Sequence, residues 1–217
     1  MSRILVTGAA GCVGSNLVRK LAKQGHEINI LIKPNTWHPF LEGLKLNVFR
    51  GDVRDLANVK NAMNGCEYVY SIAGVVSYNR IDNKDMFTTH VHGTRNILTA
   101  AKELKVKKVV VTASTAGVGI PKNKNMPLNE DALFDLSKFG NNMYMFSKYA
   151  CIKECQKAAE EGLNVSIISP STIYGQGDTS MHIGKIVKKI KEGKIRLLLP
   201  EEMQLYLLMT LLTLTSS

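Results

Sequence analysis

A tyrosine and a lysine one helical turn apart are the residues of this chain best suited to moving a proton. Tyr144 and Lys148 are separated by three residues in a segment with helical periodicity, so their side chains share a face. A phenol ionises at about pH 10 and is a poor acid or base near neutrality, but a neighbouring ammonium stabilises its phenolate. Ser114 adds a hydroxyl that can hydrogen-bond and polarise a substrate oxygen. These three side chains predict proton transfer to or from an oxygen atom of a substrate.

The surrounding sequence favours this pair over a second one with the same spacing. Tyr149 and Lys153 repeat the pattern, but they lie outside the register expected relative to Ser114. Ser114 follows the apolar run Val109–Thr112, and open α/β sheets bind ligands at the carboxyl ends of their strands. Thr115 is the alternative hydroxyl at this strand end.

A glycine-rich turn near the start of the chain is typical of a dinucleotide-binding site. It follows the apolar run Ile4–Thr7 and opens a segment with helical periodicity. Gly8 permits a tight turn, Gly11 lets the backbone reach a pyrophosphate, and Gly14 lets the helix pack closely on the strand. Free N–H groups and the helix dipole then bind the phosphates; a glycine-rich turn without a ligand is the alternative. The cofactor-binding residues predicted in this segment are Thr7, Gly8, Gly11, Cys12, Val13 and Gly14.

The choice between NAD(H) and NADP(H) is predicted from the end of the second strand. An acidic side chain there binds the ribose 2′-hydroxyl, whereas a cation accommodates a 2′-phosphate. This chain has Leu31–Pro34, which carries Lys33 and no acidic residue, so the sequence favours NADP(H). A surface lysine without a ligand, and NAD bound through backbone alone, are the alternatives.

Residues after the third and fourth strands complete the predicted cofactor site. Asp52, next to Val53, is placed to accept a hydrogen bond from the adenine amino group, although an aspartate capping a helix would look the same. Ala73 and Gly74 are small residues where the backbone must pass the cofactor. Together with Tyr144, the glycine turn predicts hydride transfer to or from a carbonyl or alcohol carbon.

Strands and helices alternate along the chain at the spacing of a parallel, doubly wound α/β sheet of the Rossmann type. The strands are nearly all apolar, as expected when helices cover both faces of a sheet. The predicted strands are Ile4–Thr7, His26–Ile32, Leu46–Arg50, Tyr68–Ile72, Val109–Thr112 and Val165–Ser169. The predicted helices are Cys12–Gln24, Val53–Met63, Thr88–Leu104 and Asn141–Glu161.

Composition argues against several other classes of protein. The formal net charge is +10, but the lysines are scattered and form no aromatic-interleaved stripe, so no nucleic-acid partner is predicted. The apolar run Leu205–Thr215 is too short to span a bilayer, and no membrane partner is predicted. The chain enters a strand directly without a signal sequence, which predicts a cytoplasmic protein with reduced thiols. The spacing of its cysteines, without a CxxC pair, predicts no metal site. Its four cysteines are Cys12, Cys66, Cys151 and Cys155.

These motifs together resemble an extended short-chain dehydrogenase/reductase of the NAD-dependent epimerase/dehydratase family, and most of all its dihydroflavonol-4-reductase-like members. The resemblance runs from Ile4 to about Leu199. It includes TGxxGxxG at Thr7–Gly14, Gly51–Asp55, Val91–Asn96, Ser114, YxxxK at Tyr144–Lys148, and Pro170–Gly175.

The resemblance implies an NADP(H)-dependent oxidoreductase that reduces a ketone or oxidises an alcohol. In that case Tyr144 is the acid/base, Lys148 assists it and holds the ribose, and Ser114 orients the substrate oxygen. Family members use the segment that begins at Pro170 near the nicotinamide. The alternative within the family is a nucleotide-sugar epimerase or dehydratase, in which the same residues act on a retained cofactor.

Three residues depart from the family pattern. Cys12 stands where an aromatic residue is usual, at a position that offers its backbone. Ser71 and His90 stand where histidine and asparagine are often seen. The second of these departures bears on the scaffolding of the predicted active site.

The end of the chain departs from the family altogether. We expect a dinucleotide-binding domain over residues 1–170, the start of a substrate-binding lobe over 171–199, and an aberrant tail over 200–217. Codons for Met209–Thr215 can be chosen that, read one base earlier, encode Asp-Asp-Val-Ala-Asp-Ala-His, which resembles a segment of the family. The sequence therefore predicts truncation by a frameshift, with a natural short isoform as the alternative. A truncated copy would be a non-catalytic, cofactor-binding remnant, and its leucine-rich tail would favour homo-oligomers.

Overall fold

A parallel sheet with helices on both faces forms the part of the chain that the computed structural model describes. These are residues 1–77, 79–119, 129, 142–173, 175–178, 189 and 192–193. The strands are β1 (Arg3–Thr7), β2 (Glu27–Ile32), β3 (Asn47–Arg50), β4 (Tyr68–Ser71), β5 (Lys108–Thr112) and β6 (Val165–Ile168). The helices are α1 (Cys12–Lys23), α2 (Leu56–Met63), α3 (Asn83–Phe87), α4 (Gly93–Glu103) and α5 (Met143–Glu160).

The strand order is β3-β2-β1-β4-β5-β6, and every pair is parallel. This is the doubly wound Rossmann arrangement, so the predicted fold class is confirmed. The chain moves outward from β1 to β3 and then crosses back to β4. Neighbouring loops therefore diverge at the carboxyl ends of β1 and β4, which is where such sheets bind ligands.

The middle of strand β1, Ile4–Val6, is apolar because both of its faces are buried. Successive side chains point to opposite faces of a sheet. Leu5 accordingly packs in the cluster formed with α2, α4 and α5, whereas Ile4 and Val6 pack in the cluster formed with α1. Consecutive apolar residues of β1 therefore pack into the two apolar clusters on opposite faces of the sheet.

The helix α2 starts later than predicted. It begins at Leu56 after Asp55, whose carboxylate accepts hydrogen bonds from the backbone N–H groups of Ala57 and Asn58. The prediction that this helix begins at Val53 was wrong, because Asp55 is the residue that caps the free N–H groups. Asp52 is therefore not the N-cap, and that alternative for Asp52 is excluded.

The helical stretch predicted from Thr88 also differs from the structure. It starts earlier, at Asn83, and a π-helical turn at Thr88–His92 separates α3 from α4. Such turns are rare and often lie at functional sites. Here the turn carries His90, one of the departures from the family pattern.

The chain divides into two compact units, Met1–Thr179 and Ser180–Ser217. The structure describes most of the first unit, and the predicted boundaries at residues 170 and 199 stay predictions. The predicted tail over residues 200–217, with its frameshift, lies outside the described residues. In the described ranges no helix is long and apolar enough to cross a membrane, and no group of three metal-ligating side chains occurs.

Close packing at Gly14 generates the first testable prediction. A Cβ atom at this position would collide with the carbonyl oxygen of Gly8 and lie 2.7 Å from the α-carbon of Ala9. Because both obstacles are backbone, Gly14→Ala should lower the free energy of unfolding by about 2 kcal/mol or more. Urea unfolding followed by circular dichroism measures this change.

Gly175→Ala is the matched control. A Cβ at Gly175 meets nothing within 4 Å, so this variant should stay within about 0.5 kcal/mol of the parent chain. Equal unfolding midpoints for the two variants would contradict the close packing of α1 on the turn.

Candidate active site

The turn between β1 and α1 leaves backbone donors free at the carboxyl end of the sheet. Gly8 has φ +69°, and a Cβ there would lie 2.7 Å from the backbone nitrogen of Ala73. Gly11 is the N-cap of α1 and provides no side-chain hydrogen bond, and the first turn of α1 has no acidic residue. The N–H groups at Cys12 and Val13 are thus the start of a 12-residue helix whose dipole favours an anion.

Thr7 joins this turn to the loop after β4. Its side chain is fully buried, and its Oγ1 accepts hydrogen bonds from the backbone nitrogens of Ile72 and Ala73, at 3.2 and 3.3 Å. The hydroxyl is therefore engaged within the chain. Thr7 shapes the crevice between β1 and β4 and fixes the approach of Ala73 to Gly8.

The segment at Gln176 and Gly177 contacts the start of α1 and the side chain of His38. The carbonyl oxygen of Gln176 accepts a hydrogen bond from the side-chain nitrogen of Asn16 at 2.9 Å, and the thiol of Cys12 lies 3.8 Å from the same oxygen. The carbonyl oxygen of Gly177 is 2.7 Å from Nε2 of the buried His38. Sequence reasoning missed Asn16 and His38, because their partners lie far away along the chain.

Asp52 is shared between two cations at the carboxyl end of the sheet. Its carboxylate accepts two hydrogen bonds from the guanidinium of Arg54, at 3.0 and 2.7 Å, and lies 3.9 Å from Nζ of Lys33. Hydrogen bonding from Arg54 holds the pKa of Asp52 below its usual range. The charge of Asp52 is thus largely compensated within the chain.

An open pocket of about 450 Å³ lies beside these residues, at the ends of β2 and β3. Arg50 lines it, and its Nη1 donates to the carbonyl oxygen of Thr36 at 2.6 Å. The Arg50 guanidinium also lies 5.7 Å from the ring centre of Trp37. Sequence reasoning missed Arg50, although a cation that ends the third apolar run was a signal for it.

Val53 is held by the family motif at Val91–Asn96. A Cβ on Gly93 would lie 2.8 Å from Cγ2 of Val53, and the side chain of Asn96 donates to the carbonyl oxygen of Val53 at 3.0 Å. The start of α4 thereby fixes the loop that carries Asp52 and Val53.

Ser114 lies two residues after the end of β5, where it caps a short 3-10 turn at Thr115–Gly117. Its Oγ accepts a hydrogen bond from the backbone nitrogen of Ala116 at 3.2 Å, and the residue is 6% exposed. Since Oγ is the acceptor in this bond, its proton can still be donated to another oxygen. The backbone nitrogen of Thr115 donates to the carbonyl oxygen of Pro170, which joins this loop to the segment after β6.

Lys148 is buried next to the same strand end. Its side chain is on α5, and the residue is only 7% exposed. Its Nζ lies 3.4 Å from the carbonyl oxygen of Thr112, and within the described residues no carboxylate forms an ion pair with it. Burial lowers the pKa of Lys148 below its ordinary value. A desolvated ammonium with one long hydrogen bond retains donors for a ligand.

Tyr144 is on the first turn of α5, and its ring centre lies 6.0 Å from Nζ of Lys148. The structure therefore brings Tyr144 and Lys148 together, as the spacing predicts. Tyr149 and Lys153 are also paired, at 5.6 Å, but Lys153 is exposed. The two pairs have the same spacing in the sequence, but only Tyr144–Lys148 has a buried lysine.

The buried ring of His90 contacts this pair. The residue is 2% exposed, and its ring lies edge-on to the ring of Tyr144, with 5.9 Å between the ring centres. A Cβ on Gly74 would be 3.2 Å from Nε2 of His90 and 3.7 Å from Nζ of Lys148. The loop after β4 therefore passes close to both His90 and Lys148 at Gly74.

Burial of His90 generates a prediction for stability at acidic pH. Desolvation, and then the charge of Lys148, lower the pKa of His90 from 6.5 to about 3. The unfolded chain takes up this proton below about pH 6.5 and the folded chain does not, so the free energy of unfolding falls as the pH is lowered through this window. The slope due to this one group approaches at most about 1.4 kcal/mol per pH unit.

Urea unfolding at a series of pH values, for the parent chain and for His90→Asn, isolates this contribution. The difference between the two slopes should match one proton taken up on unfolding. Parallel pH profiles for the two proteins would show that His90 is not held neutral.

Comparisons with known proteins identify the family and agree with the fold. The model of the NAD dependent epimerase/dehydratase family matches residues 4–208. A protein of Synechocystis sp. provisionally named dihydroflavonol 4-reductase is 32% identical over 173 residues, which are 80% of this chain and 50% of that protein. Sterol demethylase protein B of Methylococcus capsulatus is 32% identical over 197 residues, which are 90% of this chain and 59% of that protein.

Solved structures show the same similarity. The crystal structure of gox2253 aligns with a TM-score of 0.80 at 28% identity and covers 90% of this chain and 59% of that one. A short-chain dehydrogenase/reductase superfamily protein of Agrobacterium tumefaciens with bound NAD aligns with a TM-score of 0.66 at 25% identity, over 77% of this chain and 48% of that one.

The chain spans between 50% and 59% of the length of these two curated relatives. The predicted family is nevertheless confirmed, because the family model matches nearly all of this sequence. The chain belongs to the NAD dependent epimerase/dehydratase family of extended short-chain dehydrogenases/reductases.

Proposed function

We propose that this chain carries the cofactor site and the catalytic residues of an NADP(H)-dependent oxidoreductase that reduces a ketone or oxidises an alcohol. The observation that carries the proposal is the buried ammonium of Lys148, which has no carboxylate partner in the described residues. Such a group is costly in a folded chain unless a ligand uses its donors. Its position beside Tyr144 and close to the end of β5 supports a ligand with a reacting oxygen.

The residues of the crevice fit a dinucleotide. The uncapped N-terminus of α1 suits a pyrophosphate, and the ammonium of Lys148 suits ribose hydroxyl groups. The nicotinamide, when bound, supplies the hydride to a carbonyl carbon or accepts it from an alcohol carbon. In the reductive direction, Tyr144 donates its phenolic proton to the carbonyl oxygen, and Ser114 donates a hydrogen bond to the same oxygen.

Charge at the far end of the crevice supports NADP(H) over NAD(H). Arg50 lines the open pocket, Lys33 directly precedes the pocket residue Pro34, and Arg54 compensates the carboxylate of Asp52. A guanidinium is well suited to a phosphate because it donates in a planar fork. The pocket therefore favours a cofactor with a 2′-phosphate.

The double variant Lys33→Ala/Arg50→Ala tests this preference. Loss of two charge-assisted contacts should weaken NADPH binding by about tenfold to a hundredfold and leave NADH binding unchanged. Fluorescence titration with each reduced cofactor gives both dissociation constants. Lys153→Ala, an exposed lysine on α5, is the control and should bind NADPH as the parent chain does. Tighter binding of NADH by the parent chain, or unchanged NADPH binding by the double variant, would contradict the preference.

Tyr144→Phe tests the chemistry. Removing only the phenolic oxygen should lower the turnover of a ketone by about a hundredfold to ten-thousandfold, with NADPH affinity changed by less than about threefold. Oxidation of NADPH is followed with a panel of aliphatic and aryl ketones. Tyr149→Phe is the matched control, because it makes the same change in the second pair of equal spacing.

Undiminished turnover in Tyr144→Phe contradicts the proposed reductase chemistry. A parent chain that binds NADPH but oxidises none with any ketone of the panel also contradicts the proposed activity, and it identifies the non-catalytic, cofactor-binding remnant. A cofactor that survives gel filtration without net turnover would instead identify the alternative, a nucleotide-sugar epimerase or dehydratase.

A further inference from the structure

His90 joins two loops of the candidate active site that are far apart in sequence. The π-helical turn at Thr88–His92 places its ring in the interior, between the loop after β4 and the first turn of α5. The backbone nitrogen of Val75 donates to Nε2 of His90 at 3.1 Å, and Nδ1 of His90 lies 2.8 Å from Oγ of Ser147. Ser147 is fully buried.

These contacts fix the tautomer of the ring. An N–H group can only donate, so Nε2 accepts from Val75 and carries no proton. A neutral ring then carries its proton on Nδ1 and donates it to Ser147. The Ser147 hydroxyl, in turn, donates to the carbonyl oxygen of Tyr144 at 2.9 Å. Every donor in this chain of three hydrogen bonds has an acceptor.

The groups that face His90 also favour a neutral ring. The charged group is the ammonium of Lys148 on α5, and the other titratable group is the phenol of Tyr144. From the loop after β4, the backbone nitrogen of Val75 donates to the ring, and Gly74 passes close to it. A second positive charge at His90 would face Lys148 and would lose the acceptor that Val75 requires.

We propose that His90, as the neutral Nδ1–H tautomer, is a positioning residue that sets the Tyr144–Lys148 pair against the loop at Ala73–Val75. Through Ser147 it fixes the first turn of α5, which carries Tyr144. Through Val75 it fixes the loop that passes the cofactor. The proposal rests on the function proposed above for Tyr144 and Lys148.

Two conservative variants separate these links. The amide nitrogen of asparagine falls near the position of Nδ1, so His90→Asn keeps a donor for Ser147 but no longer reaches Val75. The amide oxygen of glutamine falls near Nε2, so His90→Gln keeps an acceptor for Val75 but loses the donor to Ser147. His90→Leu removes both links.

The variants should therefore affect different steps. His90→Gln should lower kcat for a ketone by about tenfold to a hundredfold with unchanged NADPH affinity, because Tyr144 shifts. His90→Asn should raise the dissociation constant of NADPH by about threefold to tenfold and retain more of kcat, because the loop shifts. His90→Leu should show both defects. A role in stability alone would change both quantities together in proportion to the loss of folding.

Ser147→Ala supplies a double-mutant cycle. His90→Gln and Ser147→Ala break the same hydrogen bond, so the double variant should lose no more kcat than either single variant. The pair His90→Asn and Ser147→Ala should instead have additive effects, because they break different links.

Nitrogen-15 NMR of the histidine rings gives a readout that needs no turnover. The parent chain, with and without NADPH, should show His90 as a neutral ring protonated at Nδ1, with the signal assigned by its loss in His90→Gln. A ring protonated at Nε2, or at both nitrogens, overturns the proposal, as do equal defects in the asparagine and glutamine variants. If the parent chain turns over no ketone, the proposed function is contradicted but the proposal for His90 is not. The protonation of the His90 ring and the NADPH affinities of its variants still decide that proposal.

Discussion

The desolvated ammonium of Lys148 is the constraint on which the rest of the site depends. It lies inside the fold on α5, and within the described residues its hydrogen bond is to the carbonyl oxygen of Thr112. A buried charge without a carboxylate partner opposes folding. The chain tolerates this charge because the apolar cluster on one face of the sheet, which includes Cys151 and Cys155, holds α5 in place.

Within the described residues, neutral groups link Lys148 to the loop after β4. The loop after β4 passes close to it at Gly74, and His90 and Ser147 connect that loop to α5 without adding a charge. At the other end of the crevice, Arg54 neutralises Asp52. A buried ammonium at Lys148, the dipole at the N-terminus of α1 and the guanidinium of Arg50 beside the open pocket therefore all lie in this region. We propose that a dinucleotide places its phosphates and hydroxyl groups at these positions.

Much of this arrangement could be predicted from the sequence because its signals are local. The apolar run at Ile4–Thr7 and the glycines that follow it identify β1 and the start of α1. Four-residue spacing identifies Tyr144 and Lys148 as neighbours. The parallel, doubly wound class of the sheet follows from the alternation of strands and helices. Each of these inferences needs only residues that are close together in the chain.

The missed features depend on contacts between distant residues. Asp52 and Asp55 both precede α2, and only the hydrogen bonds of Asp55 to Ala57 and Asn58 identify the cap. The π-helical turn gives no sequence pattern that distinguishes it from an α-helix. The hydrogen-bond partners of His90 are Val75, in the loop after β4, and Ser147, on α5. The sequence therefore identified His90 as a departure from the family pattern but did not indicate its hydrogen-bond partners.

Comparison of the parent chain with Lys148→Met, each unfolded by urea with and without saturating NADPH, tests the central claim most directly. An ammonium kept for a ligand should cost stability in its absence, so Lys148→Met should be more stable than the parent chain without NADPH, by about 1 kcal/mol or more. NADPH should stabilise the parent chain strongly and the variant little, because only a ligand that binds the folded state raises its stability. A variant that is less stable without NADPH, or that gains as much from NADPH as the parent chain, would contradict the account.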